Sequence, residues 1–378
     1  MREYLFVLLV AAAVTYVLTP VVRTLAVRRG WVTAVRDRDV HAVPMPRLGG
    51  LAIFAGFVVA LLVASHLPFL HTVTQDNSDL QAVLLGATLV VALGIADDIW
   101  GLEAWTKFAG QLLAAGVMAF QGVQMLSLPV FGVTYLPTTA LVAITVLVVV
   151  TTMNAVNFVD GLDGLAAGIT CIAAIGFFAY AYSISKDYAT NVFSVASLIA
   201  AVLIGCCLGF LPFNFNPAKI FMGDTGAMLL GLLLSAATIS LTGNIDPAAL
   251  SAGDLPPELL YLFPLLMPIA VLVVPLLDLV LAIVRRTRAG RLPWQPDAQH
   301  LHHQMLALGH SHAGAVLSLY LWAALVAFGM AALALLPLHW AVVVIVALFL
   351  VAVAMTISGP VSRRLSAVRQ SAESDTSN

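Results

Sequence analysis

Residues 140–168 read ALVAITVLVVVTTMNAVNFVDGLDGLAAG. The first half is an unbroken apolar run. In the second half a polar side chain returns every three residues, at Asn154, Asn157, Asp160 and Asp163. A long apolar run without alternation reads as a membrane-spanning helix and not as a barrel strand. Polar residues three apart share a helical face with their neighbours in the series. Gly161, Gly164 and Gly168 suggest a broken or closely approached backbone, useful where a ligand must come near. Four polar groups at this pitch, at the end of a span, are poorly explained by packing and point to a site. The acidic spacing does not follow the EF-hand loop, which argues against a calcium site of that type.

The rest of the chain shares the same solvent. Of its 378 residues, 61% are hydrophobic and 10% are charged, against about 25% charged in a soluble domain. Mean hydropathy is +1.01. Such a chain cannot cover itself in water, and in lipid its backbone must pair within helices. The expected fold is therefore an all-α polytopic membrane protein of about 11 spans, centred near residues 13, 58, 88, 115, 145, 173, 200, 233, 272, 323 and 348. The span near 115 is interrupted by Gln111 and glycines. The stretch from Tyr4 to Val22 lacks a basic leader and a cleavage site and reads as a retained span. Residues 1–362 read as a single polytopic transmembrane unit, and 363–378 as a polar, disordered cytoplasmic tail. Cys171, Cys206 and Cys207 lie in apolar runs and read as small buried hydrophobes.

With eleven spans, 15 of the 17 basic residues fall on one side, leaving Arg2 and Lys186 on the other. The positive-inside bias then places the N-terminus outside and the C-terminus in the cytoplasm. The polar clusters at 96–98, 154–164, 213–224 and 299–303 all land on the cytoplasmic face.

Several of these clusters carry chemistry. Asp97 and Asp98 end the third span. They suit Mg²⁺ beside a phosphate, or they form a solvated acid pair. Lys107 is a point-charge partner for phosphate or an ordinary interfacial anchor. Asp224 opens the eighth span between Gly223 and Gly226, as an N-cap or as a third acid of a metal site. Phe221 offers a ring for base stacking, and Asn214 an amide for a base edge. His300, His302 and His303 could bind a metal, bridge phosphate oxygens or move protons, with His310 and His312 following. Asp278 is a lone acid within the ninth span, as a site residue or as a partner of a nearby arginine.

The strings PMPRLGGLAI (44–53), GIADD (94–98), TKFAGQ (106–111), NAVNFVDGLDGLAAG (154–168), FNFNPAKIFMGDTG (213–226) and QHLHH (299–303) resemble, in this order, the polyprenyl-phosphate N-acetylhexosamine-1-phosphate transferases. The related branch is the phospho-N-acetylmuramoyl-pentapeptide translocase. The resemblance implies attack of a polyprenyl phosphate on the β-phosphorus of a UDP-N-acetylhexosamine, with release of UMP and a Mg²⁺ or Mn²⁺ cofactor. Pentapeptide transfer in wall synthesis is the alternative within the family. Carried over residue by residue, Asp224 and Asn157 hold the metal, with Asp97 either a base or a further metal group. Asp98 and Asp160 join the catalytic set, and Lys107 holds phosphate. Asp163, Asn214 and Phe221 receive the uridine, with Asn154 and Arg47 among the substrate groups. His300, His302 and His303 contact the diphosphate or sugar. The resemblance also implies a bacterial cytoplasmic membrane, a site on its inner face and, as in several members, a homodimer. Many members read Asp-Asp-x-x-Asp at the first motif. Here the last position is Gly101, with Glu103 two residues beyond, and Ala298 and Gln304 stand where the histidine loop often has arginine. A secondary transporter and a histidine-based metal-binding membrane protein are the rivals from other classes. The transporter predicts an inverted repeat and midplane polar residues, and neither is visible.

Overall fold

Apolar runs punctuated by glycine, proline and short polar turns give helices joined by tight connections. The computed structural model describes residues 1–32, 44–75, 78–124, 137–188, 191–242, 273–288, 290 and 305–376. Among them the secondary structure is helical, apart from one isolated bridge between Val32 and Pro46. The helices are α1 (Arg2–Arg29), α2 (Gly50–Ala64), α3 (Pro68–Thr74), α4 (Ser78–Trp100), α5 (Ala104–Phe120) and α6 (Thr138–Val159). They continue as α7 (Leu165–Tyr188), α8 (Asn191–Asn214), α9 (Gly223–Thr242), α10 (Val273–Arg288), α11 (His312–Leu335) and α12 (Leu338–Thr376).

Eight of the described helices are long and apolar enough to cross a membrane. A ninth crossing is made if α2 and α3, bent by 109° at residues 65–67, count as one. Two of the eleven expected spans fall short of that test. With 17 residues, α5 reaches about 26 Å at the helical rise, short of the roughly 30 Å hydrocarbon core. The span expected near 272 lies partly outside the described residues, and only its second half is seen, as α10. The backbone of α12 continues as helix through the polar segment from 363 to Thr376.

The bundle is built around α9, which packs against α2, α4, α6 and α8, while α1 packs on α8 and α11 on α7. Small residues set the spacing. A Cβ on Gly231 of α9 would sit 2.7 Å from the Met153 Cα of α6, so glycine lets the two backbones touch there. Some buried hydroxyls bond within their own helices. Thr145 donates to the Leu141 carbonyl at 2.8 Å and Ser235 to the Leu232 carbonyl at 2.9 Å. The connections α1–α2, α4–α5, α6–α7 and α8–α9 meet at one end of the bundle, and this end collects the polar strings of the sequence.

Candidate active site

The site begins with a helix start that needs a cap. At its N-terminus α9 exposes backbone amides with no partner inside the helix. The carboxylate of Asp98, at the end of α4, accepts from the Asp224 amide at 3.0 Å and the Thr225 amide at 3.1 Å. It also accepts from the Thr225 hydroxyl at 2.7 Å. Asp98 is thus a cap supplied by a neighbouring helix, and its negative charge suits the positive end of the helix dipole. Gly223, at φ +69°, lets the chain turn there, where a Cβ would strike the Asp98 carboxylate.

This cap orients the next side chain. Asp224 forms an ion pair with the Lys107 ammonium, which also lies 2.9 Å from the Asp97 carboxylate. The other Asp97 oxygen accepts from the Leu102 amide at 2.9 Å, and Gly101 takes the left-handed conformation that turns α4 into α5. The Asp97 and Asp224 carboxylates lie close to each other, and the Asn157 side-chain amide is directed to Asp224. Two carboxylates, an amide side chain and an ammonium therefore meet where α4, α5, α6 and α9 converge. All three charged side chains keep some exposure, between 12% and 24%, enough for a ligand to reach them. Trp100 and Trp105, both strongly exposed, flank the α4–α5 turn. Tryptophans at this level mark a membrane–water boundary.

Asp160 terminates α6 close to this cluster. Burial raises its carboxyl to about 7, with Asp224, Asp98 and Asp163 adding repulsion and Arg47 working the other way. The half-buried Arg47 stands in the segment that the string PRLGG holds in place. Three backbone hydrogen bonds join that segment to the start of α9: Phe221 amide to Pro46 carbonyl at 2.9 Å, Gly49 amide to Phe221 carbonyl at 3.0 Å, and Gly50 amide to Met222 carbonyl at 2.9 Å. A Cβ on Gly50 would overlap the Gly226 backbone, so the glycine pair permits this approach.

Asp163 and Asn214, the residues expected at the nucleotide, make hydrogen bonds within the protein. Asp163, 5% exposed, accepts from the Asn216 amide side chain at 3.0 Å and the Ala218 amide at 2.9 Å. Asn214, 1% exposed, accepts from the Gly164 amide at 3.1 Å and donates to the Ile220 carbonyl at 3.0 Å. Buried and engaged in this way, they bolt the α6–α7 turn to the α8–α9 connection. Asn154 likewise donates to Gln111 at 2.7 Å and to the Val150 carbonyl at 2.8 Å. The Phe221 ring is half-buried, and Glu103 is exposed at the start of α5. His300, His302, His303 and the side chain of Asp278 lie outside the described residues.

Sequence reading missed Thr225, Asn216, Gln111 and the backbone clamp of PRLGG. Gln111 carried a signal, as the polar interruption of its span. The clamp carried one in its two consecutive glycines. Thr225 carried one as a capping residue beside Asp224, but its partner Asp98 and the partner of Asn216 are distant in sequence.

Among the described residues no three His, Cys, Asp or Glu side chains form a group suited to a metal. The donor set is instead two carboxylates and an amide. Mg²⁺ commonly takes one or two carboxylates and completes its shell from water and substrate phosphates. The Lys107 ammonium already sits between Asp97 and Asp224. These carboxylates attract a cation, and two carboxylates with an amide are a donor set that fits a divalent ion. Beside the cluster, a cavity of about 380 Å³ opens between α5 and α6, lined by Phe108, Leu112, Leu147, Val150 and Thr151, with Asn154 as its polar contact.

Fold and site together define a multi-span membrane protein with a charged reaction centre at one end of its bundle. The glycosyl transferase family 4 profile matches residues 80–242. The chain is 45% identical over 336 residues to the decaprenyl-phosphate N-acetylglucosaminephosphotransferase of Mycolicibacterium smegmatis, covering 88% of this chain and 82% of the relative. It is 29% identical to the undecaprenyl-phosphate alpha-N-acetylglucosaminyl 1-phosphate transferase of Yersinia pestis, over 86% of this chain and 82% of that protein. To the phospho-N-acetylmuramoyl-pentapeptide-transferase of Desulforudis audaxviator it is 31% identical over 61% of this chain and 74% of that one. The chain belongs to the polyprenyl-phosphate N-acetylhexosamine-1-phosphate transferases of glycosyl transferase family 4.

Proposed function

We propose that this protein transfers N-acetylglucosamine 1-phosphate from UDP-N-acetylglucosamine to a polyprenyl phosphate, releasing UMP. The observation that carries this reading is the meeting of Asp97, Lys107, Asn157 and Asp224 at the bundle end beside an apolar cavity. Phosphoryl transfer between two anionic partners is limited by bringing them together, so cationic groups and fixed positions matter more than a strong base. A phosphate monoester is already mostly dianionic near neutral pH. Its oxygen forms a bond to the β-phosphorus, the bond from that phosphorus to the UMP oxygen breaks, and UMP takes the electron pair. Lys107 binds phosphate oxygens and offsets their charge. Asp97 positions Lys107 and the incoming phosphate. Asp98 fixes the start of α9, and with it the direction of Asp224. Mg²⁺ or Mn²⁺, held by Asp224, Asn157 and Asp97, supplies charge neutralisation for the diphosphate when bound. The apolar cavity between α5 and α6 takes the first isoprene units of the acceptor. The site faces the cytoplasm in this proposal, a reading supported by the concentration of Lys and Arg in the loops expected on that side. Eleven spans, an outside N-terminus and a single catalytic unit ending near residue 362 complete the proposed topology.

The test is transfer of labelled sugar phosphate by the purified, detergent-solubilised protein with Mg²⁺ and undecaprenyl phosphate. Wild type is expected to yield labelled lipid and UMP. Asp224→Asn is expected to lose at least about a thousandfold, the scale on which fixed charge stabilisation operates. Inactivity of folded wild type with every UDP-sugar and with either metal would overturn the reading. Catalysis in detergent also separates an enzyme from a transporter, since no barrier is left to transport across.

A further inference from the structure

A second, smaller apolar cluster lies apart from the main core. It joins Val159, Leu162 and Leu165 of the α6–α7 turn to Met305, which follows the histidine string in sequence, and to the first half of α11. Tyr320 of α11 packs against this cluster, and its hydroxyl donates to the Gly164 carbonyl. The amide of Gly164 donates to Asn214, so the residue is gripped from both sides while it holds φ +78°. The Tyr320 ring occupies the space that a side chain at position 168 would need, since a Cβ on Gly168 would overlap it. Phenylalanine would fill that space as well. The hydroxyl adds one bond, and a buried tyrosine hydroxyl needs a partner. Its partner here is the turn that carries Asp160 and Asp163.

We propose that Tyr320 is a positioning residue of the transfer reaction: from α11 it fixes the Gly164 peptide and thereby the turn that follows Asn157. This role rests on the function proposed above. Asn157 and Asp160 stand at the end of α6, and the turn anchored at Gly164 sets where that end stops. A small displacement of a positioned group costs about ten- to a hundredfold in rate. Tyr320 escapes sequence reading because it lies in the apolar string LSLYLWAAL, where an aromatic residue needs no explanation beyond lipid or packing.

The test uses the full chain in detergent with Tyr320→Phe, which keeps the ring and removes the hydroxyl. Expected is a kcat about tenfold lower, with KM for UDP-N-acetylglucosamine and for polyprenyl phosphate within about twofold of wild type. Hydrogen exchange should speed up about tenfold at the amides of 160–165, while amides of α9 hold their rate. Gly168→Ala, which keeps the hydroxyl but displaces the ring, should produce the same pattern. Unchanged kcat and unchanged exchange in Tyr320→Phe would overturn the proposal. So would a kcat loss that merely tracks the loss of folded protein. Failure of the functional reading looks different: wild type transfers nothing, yet the exchange difference at 160–165 persists.

Discussion

Two helices long and apolar enough to cross a membrane have opposite surroundings. In α9, 94% of an 18-residue stretch is buried, whereas in α12 the share is 11%. Yet α12 is the more apolar of the two, with VVVIVALFLVAVAM in its first half, while α9 reads GDTGAMLLGLLLSAATISL. In water the order would be reversed, because the most apolar segment would be the most buried. In lipid the apolar side chain gains nothing by moving inward. Close backbone contact and internal hydrogen bonds decide instead, and glycine, alanine, serine and threonine supply them. The central helix is therefore the one with small and hydroxylated residues, and its polar N-terminus becomes the reaction centre.

The strongest way to break this comparison is to give α9 a side chain like those of α12. Gly231→Leu would force the α6 and α9 backbones apart at Met153. Overpacking of a tight contact costs about 3 kcal/mol, with more where backbone must move. The expected result is loss of the monodisperse folded peak in detergent chromatography. A wild-type profile would mean that α9 is not the packed centre. A smaller effect is expected at the cap. Asp98→Ala removes three acceptor contacts from the start of α9 and should cost about 2 kcal/mol. Thermal unfolding would read the stability loss, and transfer activity should fall further than stability because Asp224 loses its anchor. Equal loss in both would reduce Asp98 to a structural cap. The smallest effect is expected on the lipid side. Leu350→Ala and Val351→Ala in α12 alter side chains that are 60% and 53% exposed and should shift stability by no more than about 0.5 kcal/mol. A large shift would reveal a protein surface against α12.

The site was partly legible in the same way. Asn157, Asp97, Lys107 and Asp224 stand out in sequence because charge and amide groups are costly near lipid, and the structure brings them together. Asp163 and Asn214 stand out just as strongly and belong to an internal lock between two turns. Sequence cannot separate a polar residue kept for a ligand from one kept for a neighbouring loop, since the cost of burying either is the same. Asp98 shows the same ambiguity at closer range. It follows Asp97 directly, yet one carboxylate faces the lysine and the other caps a helix more than a hundred residues away.

The sequence by itself determined the solvent of this protein, its all-helical class and the end of the bundle where its polar strings gather. Those follow from composition, run length and the spacing of charge, which need no partner to be read. Only the tertiary structure decided which helix is central, which acid caps and which faces the lysine. It also decided that a tyrosine in an apolar span holds the turn of the site. Each of these is a contact between residues far apart in the chain, and its energy depends on geometry that no local pattern encodes.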